Sequence, residues 1–307
     1  MKTDAIPMPK ITPRWQRRFV YSRFGRVLVF VAMFLSIAAV VALLAVMAGW
    51  TRRDHPGLRE MTEVLLRILP AIGAYLLLVL GIEKRRPEEL DPVTALPHAA
   101  IGFVFGGLFV GCVIGVLWIA GSYHVAGFGS DVHWAMGFVA SGVAPAVSEE
   151  IVFRGVMFRI AEERWGLWRA LALSAAFFGI VHIGNEGATL WSSAAIAIEA
   201  GVLLGLVYHV TRSLPVCMGL HCGWNFFEGT VFGSSVSGLA DGDYSWLRAQ
   251  FTGPDWLTGG RFGIEASAVM VAVSLVCSAA LVAAMRRRSA AAAVADLDEA
   301  ETGIAPC

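Results

Sequence analysis

The sequence predicts an all-α protein: a polytopic membrane bundle of about eight transmembrane helices with both termini in the cytoplasm. Three observations carry this. First, 57% of the 307 residues are hydrophobic and 16% are charged, against roughly 45–50% and about 25% in a soluble domain; the mean hydropathy is +0.66. Second, eight apolar runs approach the roughly 20 residues that a helix needs to cross a bilayer core. Third, lysine and arginine gather in alternate connecting segments, as the positive-inside rule requires.

The spans fall at residues 27–49, 64–82, 98–120, 134–157, 169–185, 190–210, 214–233 and 264–285. In lipid the backbone must satisfy its own hydrogen bonds, so helices are expected throughout. Residues 1–26 form a basic cytoplasmic segment. The run that follows has full membrane length and no clear cleavage site of small residues, and reads as an anchor rather than a removable leader. The fourth and seventh spans are interrupted by polar residues. In the sixth, Gly201 and Gly205 make a G-x-x-x-G pattern that suits close helix packing, and Glu199 sits mid-helix as a second buried carboxylate of open role. The stretch 234–262, with its glycines, proline and aromatic residues, suits the membrane interface. The tail 286–307, alanine-rich and then acidic, is expected to be disordered. Seventeen Lys and Arg fall on the side of the N-terminus and five on the other. The transmembrane domain therefore covers 27–285, with its polar core at 134–233, and the sequence shows no internal repeat. The lipid bilayer is the expected partner, in an integral, multi-pass protein.

Other classes recede on composition. The net charge is zero, so no basic footprint for nucleic acid exists. Five cysteines are scattered without a C-x-x-C pair, which indicates neither a disulfide framework nor a thiolate zinc site.

The segment "APAVSEEIVFRGVMF" places Glu149, Glu150 and Arg154 in a span. A charge at mid-membrane costs about 2.5–3.5 kcal/mol on insertion scales. Glu150 and Arg154 are four apart and share a helix face, so they are expected to pair; Glu149, about 100° further round, is left free. The alternative is that both carboxylates snorkel from the end of the span. The fifth span carries His182. The seventh carries His221, Asn225 and Glu228 in one stripe at i, i+4 and i+7, with Glu228 placed to orient Asn225 or a water. Measured along the helices from Arg159, Arg169 and Arg212, Glu149, His182 and His221 lie about 15, 20 and 14 Å deep. They are expected to meet in one cavity open to the cytoplasm.

A carboxylate, two histidines and an asparagine in such a cavity suit hydrolysis by directly activated water. Glu149 takes a proton from a water shared with His182, and His221 and Asn225 receive the oxyanion. No serine or cysteine nucleophile and no cofactor is required, and the expected partner is a peptide or protein substrate at the membrane. Zinc held by Glu149, His182 and His221 is the alternative, although no H-E-x-x-H helix occurs. A proton relay in a transporter uses similar residues, and a non-catalytic immunity protein could keep the same fold.

The motifs, in order, resemble those of the CPBP family of intramembrane proteases, which process CAAX proteins and bacteriocins. E-E-x-x-x-R matches Glu149, Glu150 and Arg154; F-x-x-x-H matches Phe178 and His182; H-x-x-x-N matches His221 and Asn225. The resemblance covers about residues 148–226 and implies a glutamate-type endopeptidase. In it Glu149 and His182 would activate water, His221 and Asn225 would form the oxyanion site, and Glu150 and Arg154 would support them. The overall composition suggests a bacterial plasma membrane.

Overall fold

The computed structural model describes residues 13, 14, 16, 19–52, 54–239 and 245–302, with side chains to 292. The expected basic segment 1–26 lies largely outside them. The chain is an integral, multi-pass helical bundle. Among the described residues the long helical segments are α1 (Arg23–Met47), α2 (Pro56–Ile82), α3 (Pro92–Ile119), α4 (residues 134–158), α5 (Arg159–His182), α6 (Leu190–Thr211), α7 (residues 214–231) and α8 (Ala268–Thr302); six helices among these residues, with Trp134–His182 taken as one, are long and apolar enough to cross a membrane. The run Trp134–His182 is helical without an intervening loop, but Gly166 breaks it with φ 74° and ψ 176°. The chain folds back there, because Phe153 and Phe178 pack edge to face at 4.8 Å across the two arms. A positive φ of this kind costs glycine little and other residues more.

Local sequence sets the ends of these rods. Asp91 caps α3 by accepting from the Val93 N–H, with Pro92 at the first helical position. Thr189 and Ser192 form a reciprocal capping box at α6. Arg212, left-handed at φ 52°, ends α6, and Ser213 then caps α7. Each device satisfies helix-end donors that would otherwise lack partners.

Lipid-facing positions stay apolar. Leu35, Leu43, Phe105, Leu108, Ile180 and Val276 are all more than half exposed. Inside the bundle α3 and α7 nearly touch. A Cβ placed on Gly219 would lie 2.0 Å from the Ala99 carbonyl oxygen, and one on Gly106 would lie 2.2 Å from that of Leu220. Small residues allow this approach where apolar area alone gives no drive for association in lipid. Gly201 and Gly205 bring α6 onto α5 in the same way, against Ala175 and Leu171.

Three local features differ from the sequence reading. An antiparallel pair, β1 (Tyr123–Phe128) and β2 (Leu247–Phe251), with a register shift between Val125 and Gly127, lies on the face opposite the chain's N-terminal end. It uses part of the stretch expected at the interface. The last helix continues beyond Arg288 to Thr302, where disorder was expected: the alanine run is the best intrinsic helix former. Residues 303–307 of that tail lie outside the described residues. Finally, π-helical stretches interrupt α2, α4, α6 and α7, and those in the last three flank the polar residues.

Candidate active site

The polar residues of the fourth, fifth and seventh rods do converge. A cavity of about 460 Å³ is lined by Glu149, His182, His221 and Asn225, with Phe153, Phe178, Trp224, Asn185, Ser237 and Glu265 among the other walls. Its far end is bounded by Glu60, Glu63 and Leu239. These belong to the start of α2 and the segment after α7, on the face opposite Arg85, Arg159 and Arg212. The cavity therefore reaches toward the end of the bundle away from the basic face, where Glu60, Glu63 and Leu239 are exposed.

Glu150 and Arg154 are both fully buried and paired at 2.8 Å. Their surroundings complete the arrangement. The Arg154 Nη2 donates to the backbone oxygen of Ala200, and the guanidinium stands 5.0 Å from the Phe178 ring centroid. Glu150 Oε1 also accepts from His221 Nδ1 at 2.9 Å. One buried carboxylate thus binds a guanidinium and an imidazole, and the histidine is held by a neighbouring helix.

His182 is held differently. Its Nδ1 lies 2.7 Å from the carbonyl oxygen of Phe178, and its ring stacks on that of Phe178 at 4.5 Å. A carbonyl only accepts, so Nδ1 carries the hydrogen and Nε2 is turned to the cavity. The same logic applies to His221 against the arginine-paired Glu150. Both Nε2 atoms stand 4.0 Å from Glu149 Oε2. The Glu149 side chain keeps 24% of its surface accessible, against 0% for Glu150. A 4.0 Å spacing is too long for a direct hydrogen bond, and suits a single water about 2.8 Å from each of two atoms.

Asn225 closes the last turn of the α-helical part of α7. Its Nδ2 donates to the Ser141 carbonyl oxygen at 3.1 Å. One amide hydrogen remains for the cavity.

Glu228 stands elsewhere than the stripe predicts. It is fully buried and accepts from Trp224 Nε1 at 2.9 Å and from Ser234 Oγ at 3.3 Å. The π turn Phe226–Val231 begins directly after Asn225; its wider i→i+5 winding carries Glu228 off the His221 face. It braces the segment after α7 and is not bonded to Asn225. Glu199 is also fully buried, and neither carboxylate oxygen has a hydrogen-bond partner. The sequence reading missed Glu265, which lines the cavity and accepts from the Ser237 N–H and hydroxyl at 2.6 and 2.8 Å. A lone carboxylate in the apolar run "RFGIEASAVM" was the available signal.

The zinc alternative needs three donors about 2.0–2.2 Å from one point, hence roughly 3.4 Å from each other. Among the described residues no three His, Cys, Asp or Glu side chains meet that requirement. The donors as they stand do not fit the ion, and no chemistry is derived through it.

Comparison with known proteins gives a family match. Residues 131–227 fit the family model described as type II CAAX prenyl endopeptidase Rce1-like. No curated protein and no solved structure matches the chain. The matched segment runs from the start of α4 into α7 and contains Glu149, Glu150, Arg154, His182, His221 and Asn225. Over this segment, about a third of its length, the chain is similar to the type II CAAX prenyl endopeptidases of the Rce1-like family.

Proposed function

We propose that this protein hydrolyses a peptide bond inside the membrane by a water that Glu149 activates directly. The supporting observation is the position of Glu149: it is the cavity carboxylate with both imidazole Nε2 atoms at 4.0 Å and, among the described residues, without an arginine ion pair.

Proton counting extends the reading. Glu149 and the two Nε2 atoms are three acceptors when both histidines are neutral, and a water has two hydrogens to give. One further proton therefore completes the site. It resides on His221, flanked by Glu150 on one side and facing Glu149 on the other, so that Nε2–H becomes a donor. Water gives one hydrogen to Glu149 and the other to His182 Nε2. Its oxygen attacks the carbonyl carbon as the first proton moves to Glu149. The carbonyl oxygen takes up negative charge and accepts from His221 Nε2–H and the spare Asn225 N–H. Glu149 then passes its proton to the departing amine nitrogen as the C–N bond breaks. The products are one carboxylic acid and one amine, and the water is consumed.

The test uses purified protein in detergent and a fluorophore–quencher library of random peptides. Glu149→Gln should lower the rate about 10²- to 10⁴-fold, the usual contribution of a general base. Wild-type cleavage should persist after dialysis against a chelator. Equal rates for wild type and Glu149→Gln would overturn the assignment, and loss of activity to the chelator would overturn the metal-free scheme.

A further inference from the structure

We infer that Glu265 determines the specificity of this cavity: its carboxylate receives the ammonium group of a lysine that flanks the scissile bond. The substrate class is then a polypeptide segment with a basic residue beside the cleaved position. Cleavage itself rests on the proteolytic reading above; the charge preference rests on Glu265 and its surroundings.

The wall of the cavity is acidic. Glu60, Glu63, Glu149 and Glu265 line it, and Arg67 is the one arginine among the described lining residues. Behind this wall, Glu265 has Glu228 and Glu199 as electrostatic neighbours. All three are 3% exposed or less. Among the described residues none of the three forms an ion pair with lysine or arginine, whereas Glu83, Glu89 and Glu150, equally deep in the protein, each bind a guanidinium. Both oxygens of Glu199 lack a hydrogen-bond partner. Burying carboxyl groups without a counter-charge is costly, and a cation carried in by the substrate offsets that cost. Glu265 is the member of the three that lines the cavity.

Its carboxylate is fixed in place and half used. The turn that carries it, Ile264–Ala266, is pinned on both sides: the Ile264 N–H donates to Ser234 Oγ at 3.2 Å, and Trp191 Nε1 donates to the Ala266 oxygen at 2.7 Å. Gly263 enters the turn at φ 108°, where a Cβ would lie 1.9 Å from the Ser235 carbonyl oxygen. The two bonds from Ser237, N–H at 2.6 Å and hydroxyl at 2.8 Å, both fall on Oε2. Among the described residues no hydrogen bond reaches Oε1. A lysine ammonium is a point donor and suits one free oxygen, while the guanidinium fork of arginine is best matched by two.

The position is close to the chemistry. The Asn185 N–H donates to the His182 carbonyl oxygen at 3.1 Å, and Asn185 Nδ2 donates to that of Ser237 at 2.9 Å. Ser237 in turn holds Glu265. The imidazoles of His182 and His221 are themselves electrostatic neighbours of Glu265. A side chain that ends at Oε1 therefore starts from a residue next to the bond that Glu149 addresses.

The test uses a quenched apolar decapeptide with one lysine moved along its length, and the same peptides with norleucine in its place. In detergent, wild type should cleave beside the lysine, with kcat/KM about tenfold above that of the norleucine peptide, the usual size of one hydrogen bond to a charged group. Glu265→Gln keeps an oxygen for Ser237 and removes the charge. In it the lysine-to-norleucine ratio should fall to near one. No lysine preference in wild type would overturn the inference. So would an equal loss on both peptides in Glu265→Gln with the ratio intact, which is what a purely bracing residue gives. A second arm measures equilibrium binding of the same peptides, without quencher, to Glu149→Gln, which leaves them uncut. The lysine peptide should bind more tightly, and the preference should vanish in Glu149→Gln/Glu265→Gln. Loss of the preference in Glu149→Gln alone would assign the ammonium to Glu149 and overturn the inference. If no peptide is cut by wild type, the proteolytic reading fails, and the binding arm still decides for or against Glu265.

Discussion

Two clusters of charge sit in this bundle and are built in opposite ways. On the basic face Arg26, Arg85 and Arg159 meet Glu83, Glu89 and Glu163, and Tyr75 donates to Glu89. Glu83 alone is touched by three guanidinium groups. In the cavity Glu149 has two imidazole nitrogens at 4.0 Å and a quarter of its side chain accessible. The first cluster spends its charge on itself. The second leaves contacts unmade, at a distance that a water and a substrate carbonyl fill. Glu150 stands between the two designs: its Oε1 is held by Arg154 like a member of the first cluster, and the same oxygen also accepts from His221 in the second. The partner distances thus separate a cluster of closely paired charges from a cavity carboxylate whose neighbours stand further off.

The comparison can be broken at either cluster. The largest effect on stability is expected from Glu83→Gln. It leaves Arg26 and Arg159 without a full counter-charge, and removing one member of a buried network costs about 3–5 kcal/mol. Thermal unfolding in detergent should show the loss, while kcat of the molecules that remain folded stays near the wild-type value. Next comes Asn225→Ala, which removes one oxyanion donor. It should raise the barrier by about 2.7–4 kcal/mol, seen as a fall in kcat with little change in KM. An unchanged kcat would remove Asn225 from the scheme.

A smaller effect should appear on acidification. Burial opposes the ionisation of Glu83 and Glu89, but Arg159, Arg85 and Arg26 around Glu83, and Arg85 beside Glu89, outweigh it and hold both carboxyls below their ordinary value. A carboxyl depressed in the folded state contributes stability that is complete above its unfolded pKa of about 4.3 and is lost as the pH falls through the folded one. The unfolding temperature should therefore be flat from neutral pH to about 5 and decline below about 4. In Glu83→Gln the decline should be shallower, since one of the responsible groups is gone.

Much of this could be read from the chain. The i, i+4 spacing of Glu150 and Arg154 foretold their pair, and the order of the three polar motifs brought Glu149, His182, His221 and Asn225 to one cavity. What the spacing could not reveal depends on neighbours distant in sequence. The His221–Glu150 and Asn225–Ser141 bonds both need the α4–α7 contact. Glu228 escaped its stripe because local winding changed from α to π after Asn225, which a fixed 100° step cannot show. Glu265 reaches the cavity only through the return of the segment after α7.

The central claim is that Glu149 reacts while Glu83 fastens. The most direct measurement is a crossed one: the cleavage rate per folded molecule and the unfolding temperature, for Glu149→Gln and Glu83→Gln side by side. The account predicts a loss of rate by 10²-fold or more with an unchanged unfolding temperature in the first, and a lowered unfolding temperature with a near-normal rate in the second. Full activity in Glu149→Gln, or a loss that tracks its unfolding, would contradict it.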